Sequence, residues 1–221
     1  MSDENLFGFA FVFEGDTEKV FYLAFLEYLC NKYGAEIVRS TQETTMDVVY
    51  RIKKDDRECV IKSNTVNTVS KIPGAGKWFQ TECVKKYGHK YKWIVFLCYD
   101  LDDYQADISK FHKGDWAILR ESLNRAEQIL DVAAAADIED VMLQDLLGVC
   151  NYLNGNCPSE LKGRKGKTKM KNLFRFNNCY YHSGKRAEAL IKSLDMEKLI
   201  RGNLVPLGAI EKLITSSIFQ D

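Results

Sequence analysis

Two apolar runs in this chain each stop abruptly at carboxylates, and that arrangement constrains the fold more than any other feature. The first, Phe7-Gly8-Phe9-Ala10-Phe11-Val12-Phe13, runs into Glu14-Gly15-Asp16-Thr17-Glu18-Lys19. The second, Trp93-Ile94-Val95-Phe96-Leu97-Cys98-Tyr99, runs into Asp100-Leu101-Asp102-Asp103. Short, continuously apolar runs of this kind read as strands buried on both faces, the pattern of a parallel sheet. The carboxyl ends of such strands are where loops meet ligands. If the two strands are neighbours, Glu14, Asp100 and Asp102 converge. The i, i+2 spacing puts Asp100 and Asp102 on the same side of a strand. Clustered carboxylates repel one another unless a cation lies between them, and hard oxygen ligands suit Mg²⁺ or Mn²⁺. The commonest use of such a site is phosphate chemistry.

The rest of the chain supports an α/β fold. Residues 6–13 are expected as strand one, with Asp16 as N-cap and Glu18 in the first turn of a helix that runs to about Tyr33 and stops at Gly34. A short strand is expected at Ala35–Arg39. Val48–Ile52 and Glu58–Ile61 read as strands around the polar turn Lys53–Asp56. Lys71–Lys77 superficially resembles a phosphate-binding loop but lacks the G-x-x-x-x-G-K-[ST] spacing, so it reads as a loop into a helix from Trp78 to Tyr87. Residues 92–99 form the central strand, with Asp103 as the N-cap of the next element. A helix is expected from Asp115 to Leu130, and another begins near Ile138, where Glu139 and Asp140 would face the acidic edge. Three further helices are expected at 184–194, 196–201 and 207–218. The expected architecture is a small parallel sheet flanked by helices in residues 1–155, with a helical C-terminal extension in 156–221.

Composition limits the partners. Lysine plus arginine equals aspartate plus glutamate at 31 each in 221 residues, so no global field draws in nucleic acid and any basic surface must be local. One segment supplies it: Lys162, Arg164, Lys165, Lys167, Lys169, Lys171 and Arg175 are crowded together and spaced by Gly163 and Gly166. The first six are candidate contacts to a DNA or RNA backbone, in a segment separate from the acidic turns. Lys167 or Lys169 would stabilise charge developing on a scissile phosphate. The seven cysteines contain no C-x-x-C pair, which speaks against structural zinc, and Cys30, Cys98 and Cys150 read as reduced core residues. His89, His112 and His182 read as surface residues, and Tyr180 and Tyr181 as core rather than base-stacking groups. The acidic N-terminus lacks a signal-peptide pattern, and no apolar stretch has the length to cross a bilayer. A cytoplasmic protein with no membrane partner is expected. Self-association into a homo-oligomer is compatible with the sequence.

These motifs carry a family resemblance. Glu14-Gly15 opening a helix is similar to the Glu-Gly turn of the TOPRIM domain, and Tyr99-Asp100-Leu101-Asp102 resembles its Asp-x-Asp motif. The Glu-Gly-x-Thr-Glu-Lys form at 14–19, and Asp137-Ile138-Glu139-Asp140-Val141-Met142-Leu143, look most like OLD/RloB-type phage-defence nucleases. The resemblance covers residues 7–30, 92–105 and 137–153, about a third of the chain. It implies a TOPRIM-like fold and a Mg²⁺- or Mn²⁺-dependent nuclease. Glu14, Asp100, Asp102 and Glu139 would be the metal ligands, with Glu14 as ligand or general base. OLD-type proteins carry an ABC-type ATPase, and this chain has no Walker motif, so a separate ATPase partner is implied. Two alternatives stay open. One is a TOPRIM ribonuclease acting on structured RNA, although its Asp-Pro-Asp and downstream glycine are replaced here by Asp100-Leu101-Asp102 and Tyr104-Gln105-Ala106-Asp107. The other is a non-enzymatic regulatory subunit.

Overall fold

The computed structural model describes residues 6–40, 49–104 and 107–219. Met1–Asn5 and Val48, the expected start of a strand, lie outside the described residues. The elements in chain order are β1 (Leu6–Phe13), α1 (Asp16–Lys32), β2 (Glu36–Arg39), β3 (Val49–Lys54), β4 (Arg57–Thr65), a 3₁₀ turn (Val69–Gly74), α2 (Ala75–Trp78) and β5 (Tyr91–Asp100). After these come α3 (Asp115–Ser122), β6 (Ala126–Ala134), α4 (Ile138–Met142), α5 (Leu146–Tyr152), α6 (Gly166–Phe176), α7 (Glu188–Lys192), α8 (Met196–Arg201) and α9 (Leu207–Ile214). A π-helical turn, Phe79–Lys85, prolongs α2.

The strands form one mixed sheet of six in the order β2-β3-β4-β1-β5-β6. The inner run β4-β1-β5-β6 is parallel, and β3 and β2 add antiparallel at one edge. From β1 the chain runs to the far edge, builds inward through β2, β3 and β4, and then crosses β1 to β5 and β6 on the other side. The strand order therefore reverses at β1 and β5, and a crevice opens there at the carboxyl edge.

Both faces of this sheet are covered, which explains the unbroken apolar runs. Phe9, Phe11 and Phe13 of β1 point to one face, with Phe96, Phe25 and the buried side of α6–α9. Ala10 and Val12 point to the other, with Val95, Leu97, Tyr99, Phe79 and Trp116. Each fully buried side chain of this size contributes about 1.5–3 kcal/mol. Phe11 stacks on Phe96 at 4.5 Å between ring centroids, which locks β1 to β5 beneath the acidic turns. The helices after residue 166 share a core with α1 and β1.

Four local expectations are corrected. The helix expected to Leu130 ends at Ser122, and Ala126–Ala134 is the edge strand β6. An edge strand is half solvated, so exposed Glu127 and Gln128 break its alternation and hide the strand signal. Gly15, not Asp16, is the N-cap of α1, because the helix begins at Asp16 itself. Asp107, not Asp103, is the N-cap of the following 3₁₀ turn, through Ser109 N–H at 2.8 Å. Cys150 is not a reduced thiol but is joined to Cys157. Asn154, in the left-handed region, turns the chain back beyond α5 and brings the two Cα atoms within 5.6 Å, ordinary disulfide reach. Cys30 and Cys98 are free and buried, as expected.

Candidate metal centre

Three adjacent parallel strands deliver acidic residues to one place. At the end of β1 the Glu14 N–H donates to the Cys98 carbonyl of β5 at 2.9 Å, extending the ladder by one residue. This aims the Glu14 side chain across the strand end, where its Oε2 accepts the Asp100 N–H at 3.0 Å. β6 ends opposite Asp100, in register with Ala134. The chain then turns through Ala136 into α4, whose first residues follow Asp137. Glu14, Glu18, Asp100, Asp102, Asp137 and Glu139 all line a cavity of about 620 Å³, faced by Lys165, Lys167 and Lys171.

The carboxylates differ sharply in how they are satisfied. Asp100 Oδ1 is buried with no hydrogen-bond partner. Burial, followed by the charges of Glu18, Glu14, Glu139 and Asp137, holds the Asp100 carboxyl far above the usual carboxylate range. Burial and the nearby Glu14 and Glu139 raise Glu18 in the same way. Glu14 is raised by burial and Asp102, against the N–H groups of Asp100 and Val69, which lower it. Glu139 is raised by burial and Asp137, and accepts the Tyr181 hydroxyl at 3.0 Å.

Asp137 and Asp140 are equally buried but fully engaged. Asp137 caps α4 by accepting the Asp140 N–H at 3.0 Å, and its other oxygen accepts the Lys167 N–H at 3.0 Å. Asp140 accepts the Gly166 N–H at 2.7 Å, the Tyr104 hydroxyl at 2.7 Å and Lys169 Nζ at 2.8 Å. The positive start of α6 thus sits on two carboxylates, the favoured charge arrangement for a helix N-terminus. Gly166 is obligatory at this junction: a Cβ there would lie 2.1 Å from the Asp140 nitrogen and 2.3 Å from Asp137 Oδ1.

The expected site residues separate accordingly. Glu14, Asp100 and Glu139 point into the cavity from buried or half-buried positions. Asp102 lines the same cavity, from its exposed rim. β5 ends at Asp100, Asp102 takes a positive φ of 63°, and its exposed carboxylate pairs with Lys165 Nζ at 2.6 Å. The basic segment is not separate from the acidic centre, because α6 docks directly on it. Lys165, Lys167 and Lys171 face the cavity, whereas Lys169 is tied to Asp140 and Tyr104. Lys162 lines a different cavity beside Phe176, and exposed Arg164 lines neither. Tyr180 is exposed, contrary to a core reading, and Tyr181 is half-buried.

Glu18 and Asp137 were outside the expected ligand set. Glu18 stands four residues after Glu14 and is only 7% exposed beside it, a spacing that sequence reads only as a dipole-favoured first turn. Asp137 was legible as an N-cap before an apolar series.

Among the described residues, no three His, Cys, Asp or Glu side chains already close into a ligand shell. The donor set still fits a hard divalent cation. Every candidate donor is a carboxylate oxygen, one buried oxygen has no partner, and the charges raise one another's pKa.

Comparison with known proteins adds little. No family model matches the chain, and no curated protein matches it. Among solved structures the chain is similar to a futalosine hydrolase mutant of Helicobacter pylori strain 26695, at 8% identity and a TM-score of 0.29, over 96% of this chain and 98% of that one. A likeness that weak carries no argument about function.

Proposed function

We propose that this chain is a metal-dependent phosphodiesterase of nucleic acid, a TOPRIM-type nuclease. The observation that carries the reading is the convergence of Glu14 and Asp100, from the ends of neighbouring parallel strands, with Glu139 of α4, the helix that follows the next strand, opposite three lysines in one cavity. Glu14, Glu18, Asp100 and Glu139 would hold Mg²⁺ or Mn²⁺, with Asp102 at the rim. The cation would supply Lewis-acid polarisation of the phosphoryl group. Lys167 is exposed and close enough to lower the pKa of Glu18 and Glu139, so a phosphate bound among those carboxylates meets its ammonium group. Lys165 and Lys171 hold the flanking backbone. Asp137 and Asp140 position α6 rather than bind substrate. By its resemblance to OLD/RloB-type proteins the nuclease would act in defence against phage, beside an ATPase carried on another chain.

The test is Mn²⁺-dependent cleavage of labelled DNA and RNA by the purified protein. Asp100→Asn should lower the rate by about 10²–10³-fold, the usual cost of removing one group that stabilises transition-state charge. Undiminished cleavage by the variant, or none by the wild type with any divalent cation, overturns the reading.

A further inference from the structure

A second cavity runs down α1 from the acidic centre. It holds about 300 Å³ between α1, β2, β3 and the turn into α7. Asp16 lines both cavities, and Gly184 of the first adjoins Lys185 of the second. The residues α1 contributes recur three and four apart, so they form one stripe of the helix. At 1.5 Å rise per residue, Leu23 stands about 10 Å along the helix from Asp16.

The chemistry of this cavity complements that of its neighbour. The acidic cavity is lined by charged and polar residues and glycines, with no aromatic side chain among them. The second has an apolar floor of Val20 and Leu23, with the half-buried ring of Tyr50. Lys19, Arg39 and Lys185 stand at its rim. Lys192 is neutralised by Glu27 at 2.8 Å and Glu188 at 3.0 Å, so the net field is modest, and the floor is what distinguishes the cavity. An aromatic platform with cations around it is how proteins seat a single unpaired nucleotide. A duplex keeps its bases stacked inside and cannot present one.

We propose that this cavity is a nucleotide subsite. It seats the base of a nucleotide flanking the scissile phosphate against Tyr50 and Leu23, with the backbone phosphate on Lys19 and Lys185. It thereby selects unpaired DNA or RNA over duplex. The inference rests on the reading of the acidic cavity as a phosphodiester site.

The test is fluorescence anisotropy with a short fluorescein-labelled oligonucleotide, single-stranded or annealed to its complement, in EDTA. The wild type should bind the single strand about tenfold or more tightly than the duplex, the worth of one stacked base. Tyr50→Ala should remove most of that preference, and Tyr50→Phe, which keeps the ring, should restore it. Lys19→Ala with Lys185→Ala should weaken single-strand binding and flatten its salt dependence. If the wild type binds and cleaves, but these variants bind like it or duplex binds equally well, the subsite falls alone. If the wild type binds no oligonucleotide in EDTA, the subsite falls; if it also cleaves none with Mn²⁺, the proposed function falls with it.

Discussion

The strand-end side of the acidic cavity and the α4–α6 junction contain the same residue type at similar burial, yet they are built oppositely. At the junction, Asp137 and Asp140 receive three backbone N–H groups, a hydroxyl and an ammonium between them. At the strand ends, Asp100 keeps a buried oxygen without a partner and is pressed by four other carboxylates. A satisfied buried carboxylate holds the fold together, whereas an unsatisfied one among like charges weakens it. The first group is architecture; the second is the one to which the proposed cation is assigned.

The sharpest way to break this comparison is to neutralise one member of each group. Asp100→Asn should cut cleavage by about 10²–10³-fold while leaving the melting temperature equal or higher, because a buried charge is removed. Asp140→Ala should do the reverse first: a loss of about 1–3 kcal/mol of stability from stranded donors, measured by urea unfolding. A destabilised Asp100→Asn and a fully stable Asp140→Ala would invert the assignment.

Gly166→Ala probes the junction without touching a charge. Its Cβ would overlap the start of α4, so the docking of α6 should loosen at a cost of about 1–3 kcal/mol. Cleavage should fall with it as Lys167 leaves the cavity, while Mn²⁺ binding to the strand-end carboxylates persists in calorimetry. Wild-type stability would show that α6 can shift freely.

The strand-end carboxylates also have a pH signature. Their folded pKa values are raised, so the folded state holds more protons than the unfolded chain, and stability falls as pH rises through that interval. The metal-free protein should lose melting temperature between about pH 5 and pH 8, and Mn²⁺ should restore more of it at the upper end. A flat profile would mean that the cluster carries no repulsion.

Asp145 gives the smallest effect and the opposite sign. It is buried, but it accepts the Asp195 N–H at 2.9 Å, Lys198 Nζ at 3.1 Å and the Gly148 N–H at 3.2 Å, and these outweigh burial and lower its pKa. Its contribution is present above the ordinary carboxylate range and is lost as pH falls below it. Asp145→Asn should cost about 1 kcal/mol at neutral pH and nothing in strong acid, by urea unfolding at both.

Much of this was legible in the residues. β1 and β5 were plain because burial on both faces leaves no polar interruption, and Glu14 and Asp100 came with them as their terminal residues. The helices after residue 184 announced themselves by spacing. β6 did not, because an edge strand exposes half its side chains. Asp102 was legible as a neighbour of Glu14 and Asp100, but its exposed position was not, because its left-handed φ belongs to a turn that i, i+2 reasoning does not contain. The junction of α4 with α6 joins residues 26 to 30 apart in sequence, and nothing local in Lys162–Lys171 told that three lysines face the carboxylates while others do not.

The parallel pairing of β1 with β5 also governs when the centre can exist. Glu14 meets Asp100 across 86 positions of chain, and Lys165 meets Asp102 across 63. Contacts of such long range close slowly, because loop entropy is lost before any contact repays it. A chain still emerging from the ribosome carries Glu14 long before β5 and α6 are made. The carboxylate centre therefore cannot assemble until β5 and α4 have been made, and it gains its lysines only when α6 follows.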